Sequence, residues 1–332
     1  MSGVRAIAFP DIGAVELVDK PGPEAPKDSE VLVGSAYLGI CGSDLHVLHG
    51  RHPFIRPPVI TGHEWVGTVL AAGPGAGYEA GERVVINPLV TCGNCRACTA
   101  GRLNHCEKAK VMGFRIPGVA QTRFLTAARQ LHRIPDGLDL RLAVLAEPVA
   151  VGVHAAKRAH DLEHVLVIGG GSIGLCVLLA LKAAGAGEVT VVEPQAGKRA
   201  IARALGASNT LPPEEMEQVA SYTAVFDCVA SQATLDAGCR QCVGGGTVVV
   251  VGVAEGARHV PLPRLQRFEI DLVGTGMYVP IDIDQAIRAL ANGSIDAAPL
   301  ISGVRPLAAA PAAFDEAMEP DNVKILIDMG SC

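Results

Sequence analysis

Val165-Leu166-Val167-Ile168-Gly169-Gly170-Gly171-Ser172-Ile173-Gly174 is the stretch whose reading decides the fold. Four apolar residues in a row predict a fully buried strand, and the largely apolar run that follows Gly174 predicts a helix reaching residue 184. The glycines therefore fall on a strand-to-helix turn. A second strand, residues 188–192, ends at Glu193, nineteen residues beyond Gly174. A turn of this kind with an acid at that distance is the complete dinucleotide fingerprint. Gly169 permits the tight turn, Gly171 lets backbone approach a pyrophosphate, and Gly174 permits close packing of the helix, while Ser172 and Ile173 open its positively polarised N-terminus.

Downstream the same alternation continues, with a helix over 197–205, a strand over 224–229, a helix over 233–243 and a strand over 246–253. Repeated strand–helix units specify an α/β fold with a doubly wound parallel sheet. Val229 and Val253, at the ends of two of these strands, join the candidate cofactor-binding residues. The Glu193 carboxylate can accept from ribose hydroxyls and would repel a 2′-phosphate, so NAD is the expected cofactor. Lys198 and Arg199 either reach toward a phosphate or sit solvated in a first helical turn. Cys239 and Cys242 form a C-x-x-C without a partner pair and read, like Cys176 and Cys228, as packing residues.

Upstream the pattern changes to short strands cut by Pro and Gly, at residues 14–18, 31–38 and 64–71, which predicts a mostly β domain. Gly39-Ile40-Cys41-Gly42-Ser43-Asp44-Leu45-His46, read as a loop, places a thiol, a hydroxyl, a carboxylate and an imidazole within one turn. With His63 and Glu64, Cys41 supplies the S, N and O donors that zinc accepts. Taken singly, Ser43 and Asp44 fit plain turn chemistry. Glu147-Pro148 interrupts the start of a helix over 142–157, and its carboxylate either complements the helix dipole or points into the metal site. Cys92, Cys95, Cys98 and Cys106, spaced by two, two and seven residues, can close a tetrahedron with no open position, as structural zinc sites do. His105 beside them reads as a surface residue.

At 332 residues the chain is long enough for two domains, and 49% hydrophobic against 19% charged residues describes a buried globular protein rather than a disordered one. A net charge of −6 and a pI near 5.9 give no pull toward nucleic acid or anionic membrane. No signal-peptide pattern opens the chain, and the longest apolar stretch, 165–181, is broken by its glycines. Ten cysteines without an export signal fit a reducing, cytoplasmic setting.

Residues 39–46, 62–67, 92–106, 147–154 and 165–193, in this order and spacing, closely resemble the zinc-containing medium-chain dehydrogenase/reductase family, and within it the polyol (sorbitol-type) and butanediol dehydrogenases. The resemblance implies a GroES-like catalytic domain of residues 1–148 and 276–332, with a structural-zinc lobe at 91–107, and a Rossmann domain of 149–275. It implies two zinc ions per chain: one structural, on the four cysteines, and one catalytic, on Cys41, His63 and an acid, Glu64 or Glu147. Asp44 would orient the zinc-bound histidine. Zinc acidifies the hydroxyl of a secondary alcohol, whose proton would leave through Ser43 and His46 while hydride passes to NAD. The substrate is a small alcohol or ketone, and the oligomer a homodimer or homotetramer. Phe54, Trp65 and Phe114 are the expected pocket walls. A zinc-free NADPH quinone or enoyl reductase, and a non-catalytic NAD-binding protein, are the competing readings; the first lacks the Cys41–His63 pair, and intact ligands argue against the second.

Overall fold

The computed structural model describes residues 3–53, 55–216, 221–254 and 256–330. The chain divides into two compact units, residues 1–147 with 301–332, and residues 148–300. Both chain ends thus build the first unit. The return to it falls at Ile301, not at residue 276 as the resemblance implied. Helix Pro280–Ala291 belongs to the second unit, where buried Asp282 pairs with His154 Nδ1 (2.8 Å) and Lys157 Nζ (2.5 Å) near the end of helix Ala146–Ala156.

The first unit is mostly β. Its larger sheet runs in the order Leu131–Arg133, Arg83–Ile86, Glu64–Ala72, Glu30–Gly39, Lys324–Asp328, Ile301–Pro306, with Arg123–Ala127 also paired to Glu30–Gly39. Val4–Phe9 carries Glu16–Lys20 and Val59–Ile60 on its two edges. The core between these sheets takes Phe9 and Phe314 edge to face at 5.2 Å, and Trp65 against Phe124 at 5.3 Å. Trp65 Nε1 donates to Ser35 Oγ at 2.7 Å, which satisfies its one polar atom in the interior. Trp65 is therefore core and not a pocket wall; Phe54 lies outside the described residues.

The second unit holds six parallel strands in the order Asn209–Leu211, Glu188–Val192, His164–Ile168, Tyr222–Asp227, Cys242–Val250, Asp271–Gly274. The interior of this sheet reads as continuous apolar sequence because it is buried on both faces. His164–Ile168 pairs with the next strand in sequence on one side and with Tyr222–Asp227 on the other. Chain order reverses there, which makes its carboxyl end the crevice where α/β sheets take ligands. Cys239 and Cys242 are fully buried, and burial pushes the Cys242 thiol up to about 12, so both pack rather than react. No helix among the described residues is long and apolar enough to cross a membrane.

Candidate active site

The strand register brings the metal-donor residues together. Glu30–Gly39 and Glu64–Ala72 pair antiparallel with Gly39 opposite Glu64, so Cys41, two residues past one strand, meets His63 and Glu64 at the start of the other. The stretch after Cys41 is a helix, Gly42–Leu48, rather than a loop. Cys41 caps it in extended conformation, and Asp44 in its first turn accepts from Cys41 N at 3.1 Å. Thr61 Oγ1 donates to the other Asp44 oxygen at 2.7 Å. Among the described residues, donor atoms of Cys41, His63 and Glu64 all lie within 4.8 Å of one another. Glu147, buried in the first turn of Ala146–Ala156, is not in this group.

Glu64 is held from behind. Lys324 Nζ donates to its two carboxylate oxygens at 2.7 and 2.8 Å and to Ile40 O at 3.0 Å, with both side chains 1% exposed. A Cβ on Gly39 would collide with Glu64 Oε2, so only glycine leaves room for the carboxylate here. Lys324 was missed in the sequence; its one signal is a lone cation opening an apolar terminal strand, which demands a buried partner.

Electrostatics at the site favour a cation. Burial alone would lower the His63 pKa, yet the Asp44 carboxylate and Cys41 outweigh it and raise the pKa well above the ordinary histidine value. Burial would likewise raise Asp44, but His63 and its hydrogen bonds hold it below its usual range. His63 Nδ1 lies 3.5 Å from Asp44 Oδ1, too long for a good hydrogen bond, and is buried without a hydrogen-bond partner. A thiol, an imidazole and a carboxylate converging around preferred positive charge fit a zinc ion. Ser43 Oγ donates to Cys41 Sγ at 3.1 Å, and His46, three residues further on the same helix, is exposed. Phe114 lines this region, its ring 5.1 Å from that of His63 and 5.0 Å from that of His52.

The four cysteines also converge. Sγ separations are 3.5 Å for Cys95–Cys98, 3.6 Å for Cys92–Cys106 and 3.9 Å for Cys92–Cys98. A tetrahedron with metal–sulfur bonds of about 2.3 Å has edges of about 3.8 Å, and with all four sulfurs within 4.8 Å of one another the set fits zinc. Backbone N–H groups of Asn94 and Cys95 lower the Cys92 thiol to about 6, whereas burial raises that of Cys98 to about 11. His105 is exposed beside them.

In the second unit Gly169 has φ +98° at the end of His164–Ile168, and helix Ser172–Ala183 starts on Gly171. A Cβ on Gly174 would collide with Gly169 O, while one on Gly171 would meet nothing within 4 Å, leaving that backbone open to a ligand. Ser172 Oγ, in the first helical turn, is buried with no partner, as a phosphate-binding hydroxyl would be. Glu193 accepts from Gly170 N at 2.7 Å and Gln195 N at 2.9 Å. Arg199 donates to Glu193 O and Pro194 O at 2.7 and 2.6 Å, so its guanidinium is occupied by backbone; Lys198 is half-buried. Val229 packs against the Gly169 turn, and Val229 and Val253 stand exposed in loops beyond their strands, at 46% and 71%. Asp227, unremarked in the sequence, fixes that edge by accepting from Val229 N and Ala230 N at 3.0 and 2.9 Å. This arrangement fits a dinucleotide.

Metal donors in a GroES-like unit and a dinucleotide turn in a parallel-sheet unit define a class, the zinc-assisted dehydrogenases. Residues 27–136 match the alcohol dehydrogenase GroES-like domain and residues 172–292 the zinc-binding dehydrogenase domain. The chain is 34% identical to a 2-dehydro-3-deoxy-L-galactonate 5-dehydrogenase of Pseudoalteromonas atlantica, over 92% of this chain and 93% of that one. It is 32% identical to the sorbitol dehydrogenase of Ovis aries, over 95% and 93%. A zinc-binding dehydrogenase of Sinorhizobium meliloti, solved bound to NADP, superposes with a TM-score of 0.92 at 28% identity, covering 99% of this chain and 100% of that one. The chain belongs to the zinc-containing medium-chain dehydrogenase/reductase family and is an oxidoreductase of its alcohol and polyol dehydrogenase type.

Proposed function

We propose that this protein oxidises a secondary hydroxyl of a polyol, sugar acid or vicinal diol with NAD, using one zinc ion held by Cys41, His63 and Glu64 and a second held by Cys92, Cys95, Cys98 and Cys106. The observation that carries the reading is the mutual approach of the Cys41, His63 and Glu64 donor atoms within 4.8 Å. Glu64 is preferred to Glu147 as the acid for the same reason. Each Glu64 oxygen spends one lone pair on Lys324 and keeps another for a metal.

In the overall change a secondary carbinol loses its hydroxyl proton and, as hydride, its carbon-bound hydrogen, and becomes a ketone. When bound, zinc supplies the Lewis acidity that makes the hydroxyl proton labile, and NAD supplies the two-electron acceptor. Ser43, whose hydroxyl reaches Cys41 Sγ, takes that proton, and exposed His46 on the same helix passes it to water. Asp44 fixes the Cys41 end of the helix through Cys41 N. In the second unit the Gly169–Gly174 turn and Ser172 bind pyrophosphate, and Glu193 takes the adenosine ribose and disfavours a 2′-phosphate. Apolar Val229 and Val253 offer ring-stacking surface. The working oligomer is a homodimer or homotetramer.

The test is NADH appearance over a panel of polyols, sugar acids and vicinal diols, with NADP in parallel, on wild type and Cys41→Ser, each with zinc quantified. Activity confined to wild type, with one zinc fewer in the variant, is expected. An active, fully metallated Cys41→Ser protein overturns the zinc site, and a clear NADP preference overturns the cofactor assignment.

A further inference from the structure

In the second unit one buried carboxylate has no partner of opposite charge. Asp227 closes strand Tyr222–Asp227 and is fully buried. Its Oδ1 accepts from Val229 N and Ala230 N at 3.0 and 2.9 Å, and Thr234 Oγ1 reaches its Oδ2 at 3.1 Å. Among the described residues no lysine, arginine or histidine nitrogen lies within 4.0 Å of it, and Arg258 Nε, at the same turn, donates instead to Ala230 O at 3.1 Å. Burial, and after it the Asp227 charge, push the neighbouring Cys228 thiol above its ordinary value. An interior charge without a counter-charge is costly, and an asparagine has the same shape and the same acceptor for the two N–H groups. Holding the turn therefore does not account for a carboxylate.

Its place in the sheet says what the charge faces. Asp227 stands opposite Ile168 in the parallel register, one residue before the Gly169 turn. A Cβ on Gly169 would meet Val229 Cγ2 at 2.8 Å, and Val251 N and Gly252 N donate to Asp227 O at 2.9 and 3.0 Å. The turns that follow three neighbouring strands thus meet at this residue. Glu193 follows Glu188–Val192, the strand on the opposite side of His164–Ile168. A dinucleotide with its adenosine ribose at Glu193 and its pyrophosphate at the glycine turn lays its other nucleoside over the ends of Tyr222–Asp227 and Cys242–Val250. That nucleoside carries the ring whose charge changes: oxidised nicotinamide is a cation, reduced nicotinamide is neutral, and the rest of the molecule is the same in both.

We infer that Asp227 is the counter-charge of the oxidised nicotinamide ring, so that it strengthens binding of NAD relative to NADH and biases the bound cofactor toward its oxidised form. This rests on the dinucleotide reading above and goes beyond it, because it assigns a residue that sets the balance between the two redox forms. Neighbouring strands are about 4.8 Å apart, so a ring held over these two strand ends lies within about 10 Å of Asp227. At that range one unit charge changes an equilibrium about fifteenfold at an effective dielectric of about 20, and about twofold in water. Glu193 and the N-terminus of Ser172–Ala183 act on parts common to both forms and leave the ratio alone. Asp227 exchanges no proton and touches no reacting atom; it acts through its field.

Dissociation constants for NAD, NADH and ADP-ribose, which lacks the ring, are measured by calorimetry on wild type, Asp227→Asn, Asp227→Ser and Thr234→Val. Asp227→Asn keeps shape and acceptor and removes only the charge. It is expected to lower the affinity for NAD relative to NADH by about three- to fifteenfold, while NADH and ADP-ribose move together. Asp227→Ser shifts the ratio in the same direction. Thr234→Val loosens the same turn but keeps the charge, and moves NAD and NADH alike. A ratio changed by less than about twofold in Asp227→Asn, or changed equally in Thr234→Val, overturns the inference. Should neither neutral variant fold, wild type is compared on NAD and benzamide adenine dinucleotide, whose planar ring is uncharged: tighter binding of NAD supports the counter-charge and equal binding refutes it. If wild type binds none of NAD, NADH and ADP-ribose, the dinucleotide reading itself fails and the inference with it, whereas binding of all three with an unmoved ratio sinks the counter-charge alone.

Discussion

Lys324 Nζ and the carboxylate of Glu64 form a bidentate ion pair, 2.7 and 2.8 Å, between two side chains each 1% exposed. Removing one partner of such a pair strands the other charge in the interior, at about 3–5 kcal/mol. Lys324→Met is therefore expected to lose about that much stability in urea unfolding, and more in a chelator, where no zinc compensates Glu64. Adding Glu64→Gln to Lys324→Met should recover part of the loss, because the stranded charge is gone. A loss under about 1 kcal/mol for the single variant would show that the pair is not a buried charge couple.

Gly39 sets the depth at which Glu64 can sit. A methyl there collides with Glu64 Oε2, and the neighbouring atoms belong to the same side chain, so the carboxylate must move. Gly39→Ala should empty the Cys41 site while the four-cysteine lobe, built from other strands, keeps its ion. Zinc per chain is expected to fall from about two to about one, with the metal-free stability changed by no more than about 2 kcal/mol. Retention of both ions would mean that Glu64 is dispensable to the site.

What could be read from the chain follows how local each feature is. The Gly169–Gly174 turn with Glu193, and the four cysteines, are short-range patterns whose geometry is set by a few neighbouring dihedrals; the glycines lie on a strand-to-helix turn and the four sulfurs come close together. Four of the six parallel strands were legible from apolar runs of three or four residues, or from a run broken once by Thr190. Asp271–Gly274, with two apolar residues, and Asn209–Leu211, with three residues in all, were too short to carry a pattern, and in the first unit Ile301–Pro306 was hidden because so few of its residues are apolar. Lys324 meets Glu64 across 260 residues, a separation no periodicity encodes. Glu147 shows the opposite failure. Its motif is local, but whether it reaches the metal donors depends on where helix Ala146–Ala156 is placed.

Glu193 is positioned by its contacts rather than by its sequence offset alone. Its carboxylate is pinned by Gly170 N and Gln195 N, and a Cβ on Gly170 would press on Glu193 Cβ and Cγ at 2.9 Å. If Glu193 takes the adenosine ribose as proposed, Glu193→Ala removes that acceptor together with the charge that would disfavour a 2′-phosphate. The ratio of kcat/KM for NAD over NADP should fall about tenfold or more, mostly through loss on NAD. Gly170→Val, which displaces the carboxylate without deleting it, should move the ratio in the same direction. An unchanged ratio in both variants would remove Glu193 from cofactor discrimination.

Zinc uptake by the lobe should depend on pH with a slope that changes near 6. Each thiol that must shed a proton to ligate makes binding tighten as pH rises, roughly tenfold per unit per proton. Cys98 keeps its proton to about 11 in the metal-free chain because burial disfavours its thiolate, so it contributes a proton over the whole neutral range. Cys92, lowered to about 6 by the N–H groups of Asn94 and Cys95, is already a thiolate above that value and contributes none. Below about 6 it too must be deprotonated by the metal, and the slope of log affinity against pH should steepen by about one. Chelator competition between pH 5 and 8, on a Cys41→Ser background so that only the lobe reports, measures this. A slope constant through 6 would mean that Cys92 does not hold its charge without the ion, and that backbone donors do not prepare the site for it.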